Sequence, residues 1–321
     1  MGNVIGLVLP FFGLILLGYA AARITRQPLD ALGWMNTFIV YVALPALFFN
    51  LLARTPVEQL TQWRFVFATT FSTFFVFALM FVIAAIGSRG NVAESTVKGL
   101  AAAYGNIGYM GPGLALLAFG DAAVVPVALI FCFDNTLHFI MAPLLMALSG
   151  GGDAQPPWRL ALGVVRRVLF HPFILATIVG IGAAAISFQP PAPLQTLLDY
   201  LAGAAAPCAL FAMGVTLALR PLRRVPGDMG FIVVIKLIVH PALVYVALSW
   251  IGDFPDVWLY AAVLLAALPT ATNVYVIAQQ YGVWVERASA SVLVTTVVSV
   301  VTVTLLLYGL RNGLVPPDLF P

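Results

Sequence analysis

The stretch AALPTATNVYV, residues 266–276, lies inside a long apolar run, yet Pro269, Thr270, Thr272 and Asn273 stand at its centre. A plain membrane-crossing helix has no use for them, because proline removes an amide donor and clashes with the preceding turn. Backbone groups opened in hydrocarbon are costly unless protein covers them. The segment is therefore predicted to break inside the membrane and to turn its freed groups toward a protein-lined space.

The rest of the chain supports a membrane setting. Of 321 residues, 62% are hydrophobic and 8% charged, against about 25% charged in an average soluble domain. A span needs about 20 mainly apolar residues. Ten stretches qualify: 4–22, 31–53, 65–87, 97–119, 122–148, 169–187, 195–219, 229–250, 257–279 and 287–310. The first reads as a retained helix rather than a signal peptide, since Arg23 and Arg26 follow its apolar run and no basic residue precedes it. Gly at position 6 breaks the myristoylation pattern. Cys132 and Cys208 fall inside spans and imply packing rather than a disulfide.

Loops after spans 1, 3, 5, 7 and 9 collect Arg23, Arg26, Arg89, Lys98, Arg159, Arg166, Arg167, Arg220, Arg223, Arg224 and Arg287. The opposite side holds Arg54, Arg64 and Arg311. This bias makes the first side cytoplasmic and puts both termini outside the cytoplasm. The net charge of +3 follows from the same bias and gives no reason to expect nucleic acid.

The longest loop, 149–168, opens with glycines and prolines and continues as a mixture of Trp158, Leu160, Leu162 and Val165 with arginines. It reads as a linker carrying a helix on the inner membrane face. It separates residues 1–148 from 169–321, five spans from five. An odd number of spans inverts the second half, the arrangement of inverted-repeat transporters. LPALFF (44–49) and APCALF (206–211) recur at similar offsets, as do AYGNIGYMGPG (103–113) and LPTATN (268–273). Each half thus carries one interrupted helix, span 4 or span 9, in the same place.

Two half-helix N-termini meeting at the midplane favour an anion. Asn106, Gly108, Tyr109, Pro269, Thr270, Thr272 and Asn273 are the expected substrate contacts. Gly105, Gly111, Pro112 and Pro269 shape the crossover, and Tyr104, Tyr109 and Tyr275 are candidates for the wall. The competing reading makes these residues tolerated kinks and interhelical glue; two matching interruptions favour a site.

Asp134 and His138 in span 5, and Lys236 and His240 in span 8, are each four residues apart. Ionisable groups at such depth mark ion pathways or pairs. Either Asp134 pairs with Lys236 or the four relay a proton; otherwise Lys236 snorkels to the inner interface and both histidines are neutral packing residues. His171 reads as a membrane-edge residue, and Asp121, Asp253 and Asp256 as solvated loop positions.

At these residues the chain resembles the auxin efflux carrier family, which includes plant auxin carriers and bacterial malonate or malate transporters. The likeness runs through LPFFGLILLGYAAAR (9–23), YVALPALFFNLLA (41–53), GNIGYMGPG (105–113), HPFILATIVGI (171–181), APCALFAMGVTLAL (206–219), KLIVHPALVY (236–245) and ALPTATNVYVIAQQYG (267–282). It implies an all-α integral membrane fold of ten transmembrane helices in two inverted five-helix repeats. Helices 1, 2, 6 and 7 would form a dimerising scaffold, and helices 3–5 and 8–10 a transport unit with crossing helices 4 and 9. It also implies an elevator-like displacement, with Asn106 and Asn273 as carboxylate contacts and Pro269 as a crossover proline. One departure stands out: the family often places a proline two residues after the glycine matching Gly111, whereas here Pro112 follows at once and Gly113 takes that place.

The expected function is secondary transport of a small organic anion across the plasma (inner) membrane, with no cofactor and H+ or Na+ as candidate coupling ions. Malonate, malate, another dicarboxylate, an aromatic acid or an amino acid derivative would each suit the site. The alternatives are an intramembrane enzyme using Asp134 and His138, or a non-transporting sensor. The chain shows no HExxH, nucleotide-binding or paired-aspartate signature.

Overall fold

A computed structural model describes residues 2–56, 58, 61–149, 157–219 and 227–320. Arg220, Arg223, Arg224 and the linker positions 150–156 lie outside the described residues. Among the described residues the regular structure is helical, and the one extended pairing is a single isolated bridge. Helix α1 runs Gly2–Thr25; α2 (Gly33–Phe38) passes through a π turn, Ile39–Ala43, into α3 (Leu44–Leu52). Then come α4 (Trp63–Gly87), α5 (Val92–Ala103), α6 (Gly111–Phe119), α7 (Val124–Leu148), α8 (Pro157–Leu169), α9 (Pro172–Ala185) and α10 (Ala192–Leu219). Helix α11 (Met229–Val234) passes through a second π turn, Ile235–Val239, into α12 (His240–Ile251), followed by α13 (Asp256–Ala266), α14 (Thr272–Tyr281) and α15 (Val285–Arg311).

Among the described residues six stretches are long and apolar enough to cross a membrane: Asp30–Leu52, Trp63–Gly87, Gly111–Leu148, Ala192–Leu219, Met229–Ile251 and Val285–Arg311. Leu9–Thr25, Ile174–Ala185 and Asp256–Ala266 are shorter apolar helices. Both π turns have the same origin. Pro45 and Pro241 sit at the second position of α3 and α12, and the missing amide and the ring's bulk displace the turn before them. On α4, Phe67, Phe71, Phe74 and Phe75 are exposed, as befits a helix whose outer face meets lipid rather than water.

The helices pack in two groups. In one, α1 lies along α10, and α3 lies along both α9 and α10. The α1–α10 contact is backbone to backbone: a Cβ at Gly18 would stand 2.1 Å from the Phe211 carbonyl oxygen, and one at Gly214 1.9 Å from that of Ile15. Small residues permit this approach where no hydrophobic drive separates helix from lipid. In the other group α4 packs on α5 and α12, α7 on α5 and α6, α12 on α13, and α14 on α15. At one end of this group Lys98 bridges Glu94 and Asp228, at 2.8 Å each, tying α5 to the start of α11. Helix α8 carries exposed Trp158, Leu162 and Val165 on one stripe beside exposed Arg159 and Arg166, an amphipathic pattern.

Candidate functional site

The spans read from sequence as 97–119 and 257–279 are both interrupted, between Ala103 and Gly111 and between Ala266 and Thr272. The two interruptions meet. Gly105 and Thr270 form an antiparallel bridge, with Asn106 N donating to Pro269 O at 2.8 Å and Ala271 N donating to Tyr104 O at 2.9 Å. The backbone groups expected to line a cavity thus satisfy one another instead, which removes the penalty of opening two helices in lipid. Thr270, fully buried, locks the bridge: its hydroxyl donates to Ala101 O at 2.6 Å and its amide to the Thr295 hydroxyl at 3.1 Å.

One face of the bridge borders two cavities, of about 90 Å³ and about 300 Å³. Tyr109, Thr272 and Asn273 line both. Asn106, Gly105, Gly108, Asn135 and His171 border the smaller, while Asn36, Met213 and Thr216 border the larger. Both lie between the two packing groups, with walls from α2, α3, α10 and His171, just before α9, on one side. Buried Asn106 donates to the Met213 sulfur at 3.2 Å. Asn273 donates to the Tyr104 hydroxyl at 2.9 Å. Helix α14 starts at the cavity, since Ala271, Thr272 and Asn273 line it.

Helix α6 does not contribute in the same way. Gly111 and Pro112 line neither cavity; the space for a side chain at Gly111 is bounded by Ile107, Leu265 and Leu268. At Gly113 an added Cβ would stand 2.7 Å from that of Ala206 and 3.1 Å from the Phe11 ring. Close packing on α1 and α10 therefore leaves no room for a proline there, which accounts for the departure at this position. Tyr275 is not among the residues lining either cavity.

Behind the bridge lies a buried polar chain. Lys236, fully buried in the second π turn, donates to Ala266 O at 2.6 Å, capping the negative end of α13. It therefore does not snorkel. Its Nζ lies 3.1 Å from His240 Nδ1, His240 Nε2 lies 3.1 Å from the Thr73 hydroxyl, and Thr73 donates to Asp134 at 2.8 Å. Hydrogen-bond bookkeeping assigns the direction, from ammonium through neutral imidazole and hydroxyl to carboxylate. Asp134 accepts a further bond from Thr70 at 3.3 Å. Among the described residues no direct Asp134–Lys236 ion pair forms; Thr73 and His240 stand between them. His138 leaves this chain: its Nδ1 donates to Asp134 O at 2.6 Å and its ring stacks on Tyr104 with centroids 4.1 Å apart. Thr73, Asp134 and His240 border a void of about 10 Å³.

Gly105 is the wall between these compartments, and a Cβ there would stand 3.3 Å from Lys236 Nζ. Thr70, Thr73 and Asn135 carry no pattern in the sequence that marks them as ligating or relay residues. A separate open cavity of about 580 Å³, lined by Asn50, Arg54, Gln189 and Gln195, lies at the far end of α3 and does not touch the crossing.

A family model described as membrane transport protein matches residues 3–307. The chain is 62% identical, over the full length of both, to the "Putative malonate transporter" of Rhizobium meliloti (strain 1021). It is 26% identical to an "Uncharacterized transporter" of Methanothermobacter thermautotrophicus, covering 93% of this chain and 95% of that one. Auxin efflux carrier component 1 of Arabidopsis thaliana is 29% identical across 47% of this chain and 25% of its own.

Proposed function

This chain belongs to the membrane transport protein family, and from that premise we propose that it carries a short organic dicarboxylate, malonate or a close analogue, across the plasma membrane by alternating access. It is a transporter and not an enzyme. The proposed cargo site is the pair of cavities beside the Gly105–Thr270 bridge, where Asn106, Tyr109, Thr272 and Asn273 converge on the start of α14. The observation that carries the reading is this convergence: broken backbone stitched to itself, beside a polar space between two packing groups. The name of the relative from Rhizobium meliloti supports the choice of cargo.

In this reading the chain has ten spans in two inverted five-helix repeats, with α5–α6 and α13–α14 as the crossing pair. The group containing α1, α3, α9 and α10 is the scaffold, through which two copies dimerise. The group containing α4–α7 and α11–α15 moves against it as an elevator, taking the cavities from one side to the other. Both termini face away from the cytoplasm and α8 rests on the inner surface. The Asp134–Thr73–His240–Lys236 chain moves with the crossing and couples transport to a proton, since its ends and its joints are proton-bearing groups.

Uptake of labelled malonate into sealed proteoliposomes tests the proposal. The wild type carries malonate, and Asn273→Ala reduces the initial rate by about tenfold, the loss of one hydrogen bond to a charged ligand. No uptake by a well-folded wild type, or equal uptake by the variant, overturns it.

A further inference from the structure

The amide of Asn273 is held in one orientation by a series of hydrogen bonds that begins at a backbone carbonyl. Phe131 O can only accept, so Asn135 must turn its Nδ2 toward it, at 2.7 Å. That presents Asn135 Oδ1 to the Tyr104 hydroxyl at 2.6 Å and uses the phenol's single hydrogen. The phenolic oxygen can then only accept, so Asn273 must present Nδ2 to it, at 2.9 Å. Stacking of the buried Tyr104 ring on His138 prevents it from swinging away. Asn273 therefore meets the cavity with one remaining N–H and with Oδ1, a donor and an acceptor side by side. Among the described residues Nδ2 bonds only the Tyr104 hydroxyl, and Oδ1 has no protein partner.

Charge limits what can sit against it. Among the described residues no Lys, Arg, Asp or Glu lines either cavity. Lys236, behind Gly105, is bonded to Ala266 O and linked through His240 and Thr73 to Asp134, so its charge is already answered. What remains is the N-terminus of α14, equivalent to about half a positive charge; the titratable rings at the cavities are Tyr104, Tyr109 and His171, and a ligand of fixed charge reads any titration of theirs. One carboxylate is matched by this arrangement and a second is not, since a buried ion without a partner is strongly disfavoured.

We propose that the site binds its cargo as a monoanion that also carries a hydrogen-bond donor, which for a short diacid is the singly protonated form. The protonated carboxyl donates to Asn273 Oδ1 and accepts from its free N–H, while the carboxylate faces the start of α14. This inference rests on the reading of the cavities as the cargo site.

The test is equilibrium binding to the purified full-length protein in nanodiscs, from about pH 5 to about pH 8, using malonate and malonamate. Malonamate is a monoanion with an uncharged donor throughout that range. Its affinity should stay flat, whereas that of malonate should fall about tenfold per pH unit above its second dissociation, because only the singly ionised fraction binds. Monomethyl malonate, a monoanion without the donor, should bind about tenfold more weakly than malonamate. Tyr104→Phe releases the orientation of Asn273 and should shrink that last difference to less than about twofold.

A malonate affinity that does not change with pH, or tighter binding of malonate than malonamate at the alkaline end, overturns the inference. Two results separate it from the reading beneath it. If neither acid binds the wild type, or if both bind Asn273→Ala unchanged, the cavity is not the cargo site and both fall. If Asn273→Ala weakens binding of both by about tenfold or more and malonate binding to the wild type is flat with pH, the cavity stands and only the inference falls.

Discussion

Gly105 and Thr270, from opposite halves of the chain, face each other across a two-bond antiparallel bridge, and behind Gly105 lies the fully buried Lys236 ammonium. A side chain at position 105 would press on the Leu265 carbonyl and on that ammonium, each 3.3 Å from the new Cβ. Gly105→Val should destabilise the protein by about 1–3 kcal/mol, as overpacking does, and stop malonate uptake. Thermal unfolding and proteoliposome flux measure both. Gly120→Ala, where an added Cβ meets nothing within 4 Å, gives the contrast of backbone strain alone at φ +70° with no crowding.

Lys236→Met leaves the Ala266 carbonyl and the His240 Nδ1 without their donor and Asp134 without a balancing charge. A stability loss of about 3–5 kcal/mol is expected, the usual result of removing one partner from a buried charged set. Adding Asp134→Asn should recover part of it. The double-mutant cycle on thermal unfolding reads the recovery, and strict additivity would mean that the four-residue chain does not act as a unit.

The α1–α10 contact allows a sharper comparison. Gly214→Ala, on α10, drives a methyl to 1.9 Å from the Ile15 carbonyl oxygen of α1, whereas Gly13→Ala, on α1, meets nothing within 4 Å. The first should lower the midpoint of thermal unfolding by several degrees and reduce folded yield. The second should be neutral or slightly stabilising, because alanine is the better helix former. Size-exclusion yield and unfolding midpoints distinguish them.

Lys98 holds Glu94 and Asp228 at 2.8 Å each while itself only 8% exposed. Lys98→Met leaves two carboxylates facing each other at a helix junction. The expected loss is about 1–3 kcal/mol, well above that of an exposed pair. Because the clamp is ionic, high salt should destabilise the wild type more than the variant. Unfolding midpoints at low and high salt test it.

The two interruptions were legible in the sequence because Pro, Gly, Asn and Thr inside apolar runs have few other uses. Their mutual backbone bridge was not, since it depends on register between segments far apart in the chain. Thr73 shows the same limit. Thr69 and Ser72 on the same helix bond to carbonyls of their own helix, as hydroxyls in membrane helices commonly do. Only three-dimensional proximity to Asp134 and His240 sets Thr73 apart. Lys236 lies close enough to a helix end to suggest snorkelling, but a π turn and the carbonyl end of α13 hold it inward. His171 stands just before Pro172, where α9 begins, and lines the smaller cavity, a neighbourhood that its place at the end of an apolar run does not show. The departure at Gly113 follows from the packing of Ala206 and Phe11 against it, which local sequence does not show.

A density map of the full-length protein in nanodiscs, recorded with saturating malonate, addresses the crossing and the cargo site together. It should show helices broken at Gly105 and Pro269, paired through Asn106 N and Ala271 N, with ligand density against Asn273, Tyr109 and the first turn of α14. Unbroken helices through those positions, or malonate density only in the Arg54 cavity at the end of α3, would contradict it.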